Sequence, residues 1–100
     1  MTVRFKSLLL EECYRQHRRA VREWGKDVAT RYVERINGLY RVKSAAELGA
    51  FPALRFHPLT GDRQGQYAVK LTGFMRLIVT FDDRAMTVVQ VEEVSKHYGN

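Results

Sequence analysis

The sequence has one cysteine, two prolines and no long hydrophobic run, and each scarcity argues against a class of protein. Cys13 alone cannot form an internal disulfide bond, which excludes a disulfide-stapled scaffold and fits a reducing compartment. The longest apolar runs, 8–10 and 77–79, fall far short of the ~20 residues that span a bilayer. The start of the chain also lacks the basic and apolar regions of a secretory signal. We therefore expect a cytoplasmic protein with no membrane association.

The composition is sufficient for one modest hydrophobic core. Of the 100 residues, 45% are hydrophobic and 28% are charged, a balance typical of a folded domain and not of a disordered chain. The length is too small for a two-domain enzyme with a dinucleotide fold. We expect a single domain over residues 1–100.

Positive charge is abundant and unevenly distributed. Seventeen Lys and Arg against 11 Asp and Glu give a net charge of +6, and 12 of the 17 are Arg, which suits bidentate phosphate contacts. An anionic partner is expected, and nucleic acid is favoured over membrane because no lipidation motif is present. Residues 1–50 carry 11 basic and 6 acidic side chains, whereas residues 51–100 carry 6 and 5. This imbalance suggests that the first half supplies the binding surface.

Hydrophobic periodicity predicts two helices in the first half of the chain. Between Leu8 and Trp24, a stripe recurs at steps of three and four: Leu10, Tyr14, His17, Val21 and Trp24. Gly25 is expected to end this helix and Asp27 to cap a second one, which runs to about Val42. The short connection predicts an antiparallel helical hairpin.

Alternating patterns predict strands in the second half, together with a short strand at residues 2–6. Apolar and polar residues alternate over 67–71 and 75–81 with Gly73 between them, which is typical of a hairpin, and a third strand follows at 86–94. The predicted fold class is α+β, with an N-terminal antiparallel helical hairpin packed on a twisted antiparallel β-sheet.

The predicted strand register brings two cations together. If Leu71 pairs with Met75, the apolar faces of the two strands coincide, whereas a slip of one residue would mix them. Lys70 then lies directly opposite Arg76 on the other face of the sheet. Two adjacent cations are unfavourable unless an anion binds between them, so this pair is a candidate functional site.

Three groups can converge on that face: His57, the Lys70/Arg76 pair, and the tail residues His97 and Tyr98. RNA cleavage needs a base for the ribose 2′-OH, an acid for the leaving 5′-oxygen, and cations where the phosphorane gains charge. Imidazole titrates near neutral pH and can serve in either protonation state, while Arg and Lys supply fixed charge. This route requires no metal or cofactor, and its use of the 2′-OH restricts it to RNA.

Several segments of the second half match a known family. They are the run His57-Pro-Leu-Thr-Gly-Asp-Arg-Gln-Gly65, the strands Tyr67-Ala-Val-Lys-Leu71 and Met75-Arg-Leu-Ile-Val79, and the ending Glu93-Val-Ser-Lys-His-Tyr-Gly99. Together they resemble HigB toxins of the RelE/ParE superfamily, which belong to bacterial type II toxin–antitoxin systems. The resemblance is specific over residues 54–99 and looser over the helices.

The resemblance implies a compact microbial-RNase-like fold and an enzyme, an mRNA endonuclease that acts on the translating ribosome without metal. It also implies a small antitoxin that blocks the toxicity, in HigB systems usually a HigA-like helix-turn-helix protein. The remaining implied partners are the ribosome and mRNA, with operator DNA contacted only through the antitoxin complex.

Matching positions suggest roles for individual residues. His57 stands at the histidine of the family's His-Pro-Leu motif, and Arg76 at the strand arginine expected to hold the scissile phosphate. Lys70 matches a catalytic lysine of RelE-type members. His97 lies where the superfamily has a C-terminal histidine or arginine, and Tyr98 resembles the terminal His-Tyr pair of YoeB-like members.

The chain departs from the family pattern at two places. Thr60 replaces a lysine that many HigB toxins have, and Ser95-Lys96-His97 stands where many end in Asp-Tyr-His. The resemblance therefore leaves the base and the acid unassigned. Arg63 and Lys96 lie within the matching segments and are expected to bind substrate.

A row of arginines adds a second candidate surface. Four of them lie on the flank of the first predicted helix, away from its apolar stripe: Arg15, Arg18, Arg19 and Arg22. Such a face is ordinarily solvated, but clustered arginines also suit the phosphates of ribosomal RNA. Two alternative functions remain open. One is a ParE-like inhibitor of DNA gyrase, which needs no acid–base pair, and the other is a non-catalytic nucleic-acid-binding module.

Overall fold

The computed structural model describes residues 1–96, so the predicted tail residues His97 and Tyr98 lie outside the described part. The elements, in chain order, are β1 (Thr2–Phe5), α1 (Leu8–Arg15), α2 (His17–Trp24), α3 (Lys26–Arg41), β2 (His57–Pro58), β3 (Tyr67–Lys70), β4 (Met75–Phe81) and β5 (Val88–Lys96). Short 3₁₀ turns at 45–50 and 52–54 connect α3 to β2, and a third at 61–63 precedes β3.

The strands form one sheet in the order β1-β5-β4-β3-β2. The predicted α+β class and the β3–β4–β5 meander are confirmed, and β2 extends the meander with another antiparallel pairing. β1 lies at the opposite edge and runs parallel to β5, with Thr2 opposite Val88. This parallel pairing is possible because the chain crosses the sheet through the helices before it returns.

The first predicted helix is interrupted at Gln16, which is extended (φ −125°, ψ 98°) and separates α1 from α2. An unbroken helix would have carried His17 into the core with Tyr14 and Val21, and burial of an unpaired imidazole is unfavourable. The break instead leaves His17 exposed, while Ala20 becomes fully buried. Periodicity alone placed His17 inward, which is wrong for this residue.

A tight turn at Gly25 joins α2 to α3 and confirms the predicted helix end. Its φ of +85° lies in the region that favours glycine, and its amide donates to the Val21 carbonyl over 2.8 Å. Asp27 is not the cap of α3 but lies in its first turn, where a carboxylate complements the helix dipole.

Within residues 1–96, the helices cover one face of the sheet, and none of them packs against the other face. The main core joins buried helical side chains to one set of alternating strand residues: Tyr32, Ile36, Leu39, Val69, Leu77, Val79, Val89 and Val91. The intervening strand positions Ala68 and Ile78 point to the opposite face, where they pack with Leu59 in a small separate cluster. We call this opposite side the open face; it is where the candidate site lies.

Candidate active site

Lys70 and Arg76 are directly paired across β3 and β4, as the sequence predicts. The same register places Arg76 beside Ser95 of β5, so the three residues form a row across the open face. Like charges directly opposite one another destabilise a sheet by up to about 1 kcal/mol. Within residues 1–96, neither cation takes part in an ion pair, so the repulsion is not offset by a carboxylate.

His57 lies on the same face, one row away. It is paired with Ala68, which is in turn paired with Ile78, and side chains of directly paired residues share a face. The structure therefore brings His57, Lys70 and Arg76 to one side of the sheet. The ring Nδ1 of His57 donates to the Arg55 carbonyl over 2.7 Å, so the neutral ring carries its lone pair on Nε2.

The Arg76 guanidinium is buried but only partly satisfied. Its side chain is among the least accessible charged groups, with the residue 8% exposed. One terminal nitrogen, Nη1, donates to the carbonyls of Gly73 (2.7 Å) and Met75 (3.0 Å), which ties the group to the β3–β4 turn. Nε is buried and makes no hydrogen bond within residues 1–96. Burial lowers the pKa of Arg76 from its usual value, and the nearby charge of Arg55 lowers it further.

Sequence reasoning missed Arg55, which lies close to both His57 and Arg76. The backbone of Arg55 is left-handed (φ 47°, ψ 40°). A non-glycine residue there costs about 1–3 kcal/mol and is often found at functional sites. The conformation follows the Pro52–Leu54 turn, and residue patterns do not reveal it. The one sequence feature that could have identified Arg55 is its position, as a cation two residues before the candidate His57.

A cleft of about 360 Å³ lies between His57 and the two arginines. Among the described residues it is lined by Arg55, Phe56, His57 and Arg76. Phe56 anchors the segment because its ring stacks on Tyr67 at 5.2 Å. The cleft thus holds two guanidiniums and an imidazole, and none of the lining residues named here is acidic. This arrangement can bind an oxyanion and exchange a proton beside it.

The two predicted substrate-binding residues lie outside this lining. Arg63 donates from Nη1 to Gln66 (2.9 Å) and to the Glu93 carboxylate (3.3 Å), so its charge is paired. Lys96 is exposed at the end of β5, opposite Met75.

The four helical arginines divide into two pairs. Arg15 contacts Glu11 at 3.1 Å, and Arg19 lies within 4 Å of both Glu12 and Glu23. Arg18 and Arg22 are exposed and make no ion pair within the described chain.

Metal-ligand clusters and membrane-spanning helices are two further features of residues 1–96 that bear on the expected partners. No group of three or more His, Cys, Asp or Glu side chains there could hold a metal ion. None of the helices in that part of the chain is both long enough and apolar enough to cross a membrane.

The architecture matches solved toxin structures over almost the whole chain. A YoeB/ParE toxin from Agrobacterium tumefaciens is 20% identical with a TM-score of 0.58, covering 98% of this chain and all of that one. The heterotetrameric YoeB–YefM toxin–antitoxin complex from Staphylococcus aureus matches with 20% identity, a TM-score of 0.55 and 98% coverage of both chains. The toxin–antitoxin complex RelBE2 from Mycobacterium tuberculosis matches with 18% identity, a TM-score of 0.50 and 96% coverage of both.

The chain therefore has the fold of the YoeB, ParE and RelE toxins, as the resemblance predicted. None of these three structures is a HigB toxin. No protein-family model and no curated protein matches the sequence.

Proposed function

We propose that this protein is the toxin of a type II toxin–antitoxin system, of the HigB kind, and that it cleaves mRNA on the ribosome. The observation that carries the proposal is the cross-strand pair Lys70–Arg76, which has no carboxylate partner within residues 1–96 and lies beside His57 on a toxin-like sheet. Such a cluster is favourable once a phosphate is bound, because the anion removes the repulsion between the cations.

In the proposed reaction, a base takes the proton of a ribose 2′-OH and the 2′-oxygen bonds to the adjacent phosphorus. The bond from phosphorus to the 5′-oxygen then breaks, and an acid protonates that oxygen. The products are a 2′,3′-cyclic phosphate and a 5′-hydroxyl end. Arg76 and Lys70 stabilise the negative charge that the phosphorane gains, because they are placed before the reaction begins.

His57 is the proposed acid–base residue within the described chain. Its Nδ1 donates to the Arg55 carbonyl, which orients the imidazole beside Arg76, and we propose that this ring exchanges a proton with the RNA. His97 and Tyr98 remain the proposed partners for the other proton transfer, on the strength of the family resemblance. Lys96 and Arg63 are proposed as flanking substrate contacts.

The test is expression of wild-type protein and Arg76→Ala in bacterial cells, followed by mapping of mRNA 5′ ends. Arg84→Ala is the matched control, because Arg84 is exposed in the turn beyond the far end of β4. Wild type and Arg84→Ala should arrest growth and produce new 5′-hydroxyl ends within reading frames, whereas Arg76→Ala should do neither. Equal toxicity of Arg76→Ala, or toxicity without cuts in reading frames, contradicts the proposal.

An antitoxin is proposed as the protein partner. Two of the matching structures are toxin–antitoxin complexes, and the net charge of +6 favours an acidic partner. The HigA-like helix-turn-helix type follows from the HigB resemblance alone. Co-expression with the small gene adjacent to that of this chain should restore growth, and a failure of every neighbouring small gene to do so counts against it.

The second candidate is a ParE-like gyrase inhibitor, favoured by the structural match to a protein described as a YoeB/ParE toxin. A gyrase inhibitor does not need the acid–base groups. Toxicity that survives the double change His57→Ala and His97→Ala, together with a DNA-damage response, would support this candidate. A non-catalytic nucleic-acid-binding module would instead bind in a salt-sensitive way without arresting growth.

A further inference from the structure

Arg55 is held in an unusual backbone conformation at the rim of the cleft. Its φ of 47° is one of two positive values among the non-glycine residues of the described chain, the other being Met86. The residue follows the 3₁₀ turn Pro52–Leu54, and Phe56 behind it packs its ring on Tyr67 and Phe81. The anchored segment keeps Arg55 in a conformation that an unconstrained arginine avoids.

This conformation has two consequences for the cleft. The carbonyl of Arg55 accepts the Nδ1 proton of His57 over 2.7 Å and so orients the imidazole. The side chain of Arg55 lines the same cleft as Arg76, close enough for its charge to act on Arg76.

The positive charge of this cleft is uncompensated within residues 1–96. The ion pairs of that part of the chain engage six other cations, of which Arg19 contacts two carboxylates: Arg4, Lys6, Arg15, Arg19, Arg31 and Arg63. Neither Arg55 nor Arg76 is among them. Arg76 Nε is also buried without a hydrogen-bond partner there, although buried polar groups are normally satisfied. A bound oxyanion would satisfy that donor and both charges.

We propose that Arg55 is a second phosphate-binding residue, which acts with Arg76 on one phosphodiester of single-stranded RNA. The RNA class rests on the proposed function, whereas the anion site rests on the geometry of the cleft. The backbone and the side chain of Arg55 serve the same site in separate ways. The carbonyl positions His57, and the guanidinium holds the anion.

The decisive variant is Arg55→Gly, because glycine adopts a positive φ without strain and so retains the carbonyl that orients His57. Arg55→Lys keeps the charge but loses the planar fork, and Arg84→Ala matches the change in net charge at a distant turn. The probe is a hexanucleotide with a 2′-O-methyl group on every ribose, which cannot be cleaved. Its affinity is measured by fluorescence anisotropy at several salt concentrations.

Arg55→Gly should bind the hexanucleotide about 10-fold more weakly than wild type, because a charge-assisted contact is lost. The slope of log affinity against log salt should also fall by about 0.7, the value for one neutralised phosphate of a single strand. Arg55→Lys should retain that slope with reduced affinity, and Arg84→Ala should match wild type. In wild-type protein, the side-chain Nε resonance of Arg55 should shift on titration with the hexanucleotide.

The proposal is overturned if Arg55→Gly and Arg84→Ala give the same affinity and slope, or if wild type does not bind the hexanucleotide. Should Arg55→Gly fail to fold, the Arg55→Lys result and the Nε resonance decide the question. Binding that depends on Arg55 in a protein that never cuts mRNA would refute the proposed function but leave this site intact. If wild type and Arg55→Gly cut mRNA at equal rates and bind the hexanucleotide with equal affinity, the Arg55 site is refuted and the proposed function is left intact.

Discussion

Arg76 occupies a position that lowers the stability of the free protein. Its guanidinium is buried, faces the charge of Lys70 across the strands, and leaves Nε without a partner within residues 1–96. Buried charges without full compensation usually destabilise a fold relative to an apolar side chain of similar size. We infer that the proposed phosphate ligand offsets this cost, which would give the local instability and the proposed activity one cause.

At this scale we predict that Arg76→Met maintains or raises the thermal midpoint while reducing mRNA cleavage by at least about 100-fold, the usual effect of removing one transition-state donor. The methionine fills much of the same volume without the desolvation penalty. Thermal unfolding followed by circular dichroism and ribosome-dependent cleavage assays measure the two effects. A large drop in the midpoint would show that Arg76 is primarily a structural residue.

The elements that carry the site are joined by turns with specific polar contacts. Asp83 holds the β4–β5 turn, since its carboxylate accepts hydrogen bonds from the backbone amides of Thr87 (2.8 Å) and Val88 (2.9 Å) and from the Thr87 hydroxyl. The Thr87 hydroxyl is the main reason that the pKa of Asp83 is lowered, and the backbone amides add to it. At the other end of the sheet, Arg35 of α3 donates from Nε to the Lys70 carbonyl over 2.8 Å and fixes the end of β3.

We predict that Asp83→Asn lowers the thermal midpoint at pH 7 and that the difference from wild type disappears in acid. A carboxyl whose pKa is lowered by folding stabilises the folded state above its unfolded pKa of about 3.9, and this contribution is lost as the pH falls through the lowered value. Midpoints measured from pH 7 to pH 2 test this. Asp62→Asn is the control, because Asp62 is exposed and its side chain makes no hydrogen bond within residues 1–96; a constant difference across the whole range would contradict the prediction for Asp83.

For the molecule as a whole, charge is divided between two surfaces with different tasks. The first half holds the excess of basic side chains, but Arg15 and Arg19 are neutralised by carboxylates of α1 and α2. Arg18 and Arg22 remain as the unpaired charges of that helical face within residues 1–96. The open face of the sheet, on the nearly neutral second half, carries the cations proposed to act on the phosphate. We propose the helical face for long-range attraction to ribosomal RNA and the open face for the chemistry.

We predict that the double change Arg18→Ala and Arg22→Ala weakens co-sedimentation with ribosomes by about 3- to 10-fold and flattens its salt dependence, because two phosphate contacts are lost. The matched control is Lys43→Ala with Arg84→Ala, which removes the same charge from exposed positions elsewhere. If both double variants lose affinity equally, net charge and not this helical face governs the association.

Much of the fold was predictable because alternation along a strand is a local property that assigns each side chain to a face. The patterns of 67–71 and 75–81 allow one register that keeps the apolar residues together, and that register places Lys70 opposite Arg76. The spacing of apolar residues likewise predicted α3, and Gly25 predicted the turn before it. The principal cationic pair of the site followed from the sequence alone.

Other features depend on contacts between distant parts of the chain. The break at Gln16, the parallel pairing of β1 with β5, and the division of the helical arginines all depend on which groups meet after folding. The left-handed conformation of Arg55 is another case, since it is imposed by the packed Phe56 and the preceding turn. The sequence by itself determined the class of fold, the register and the sign of the partner's charge, because periodicity and composition are local or additive. Only the tertiary structure decided which cations lack a carboxylate, because ion pairing and burial depend on neighbours that are remote in sequence.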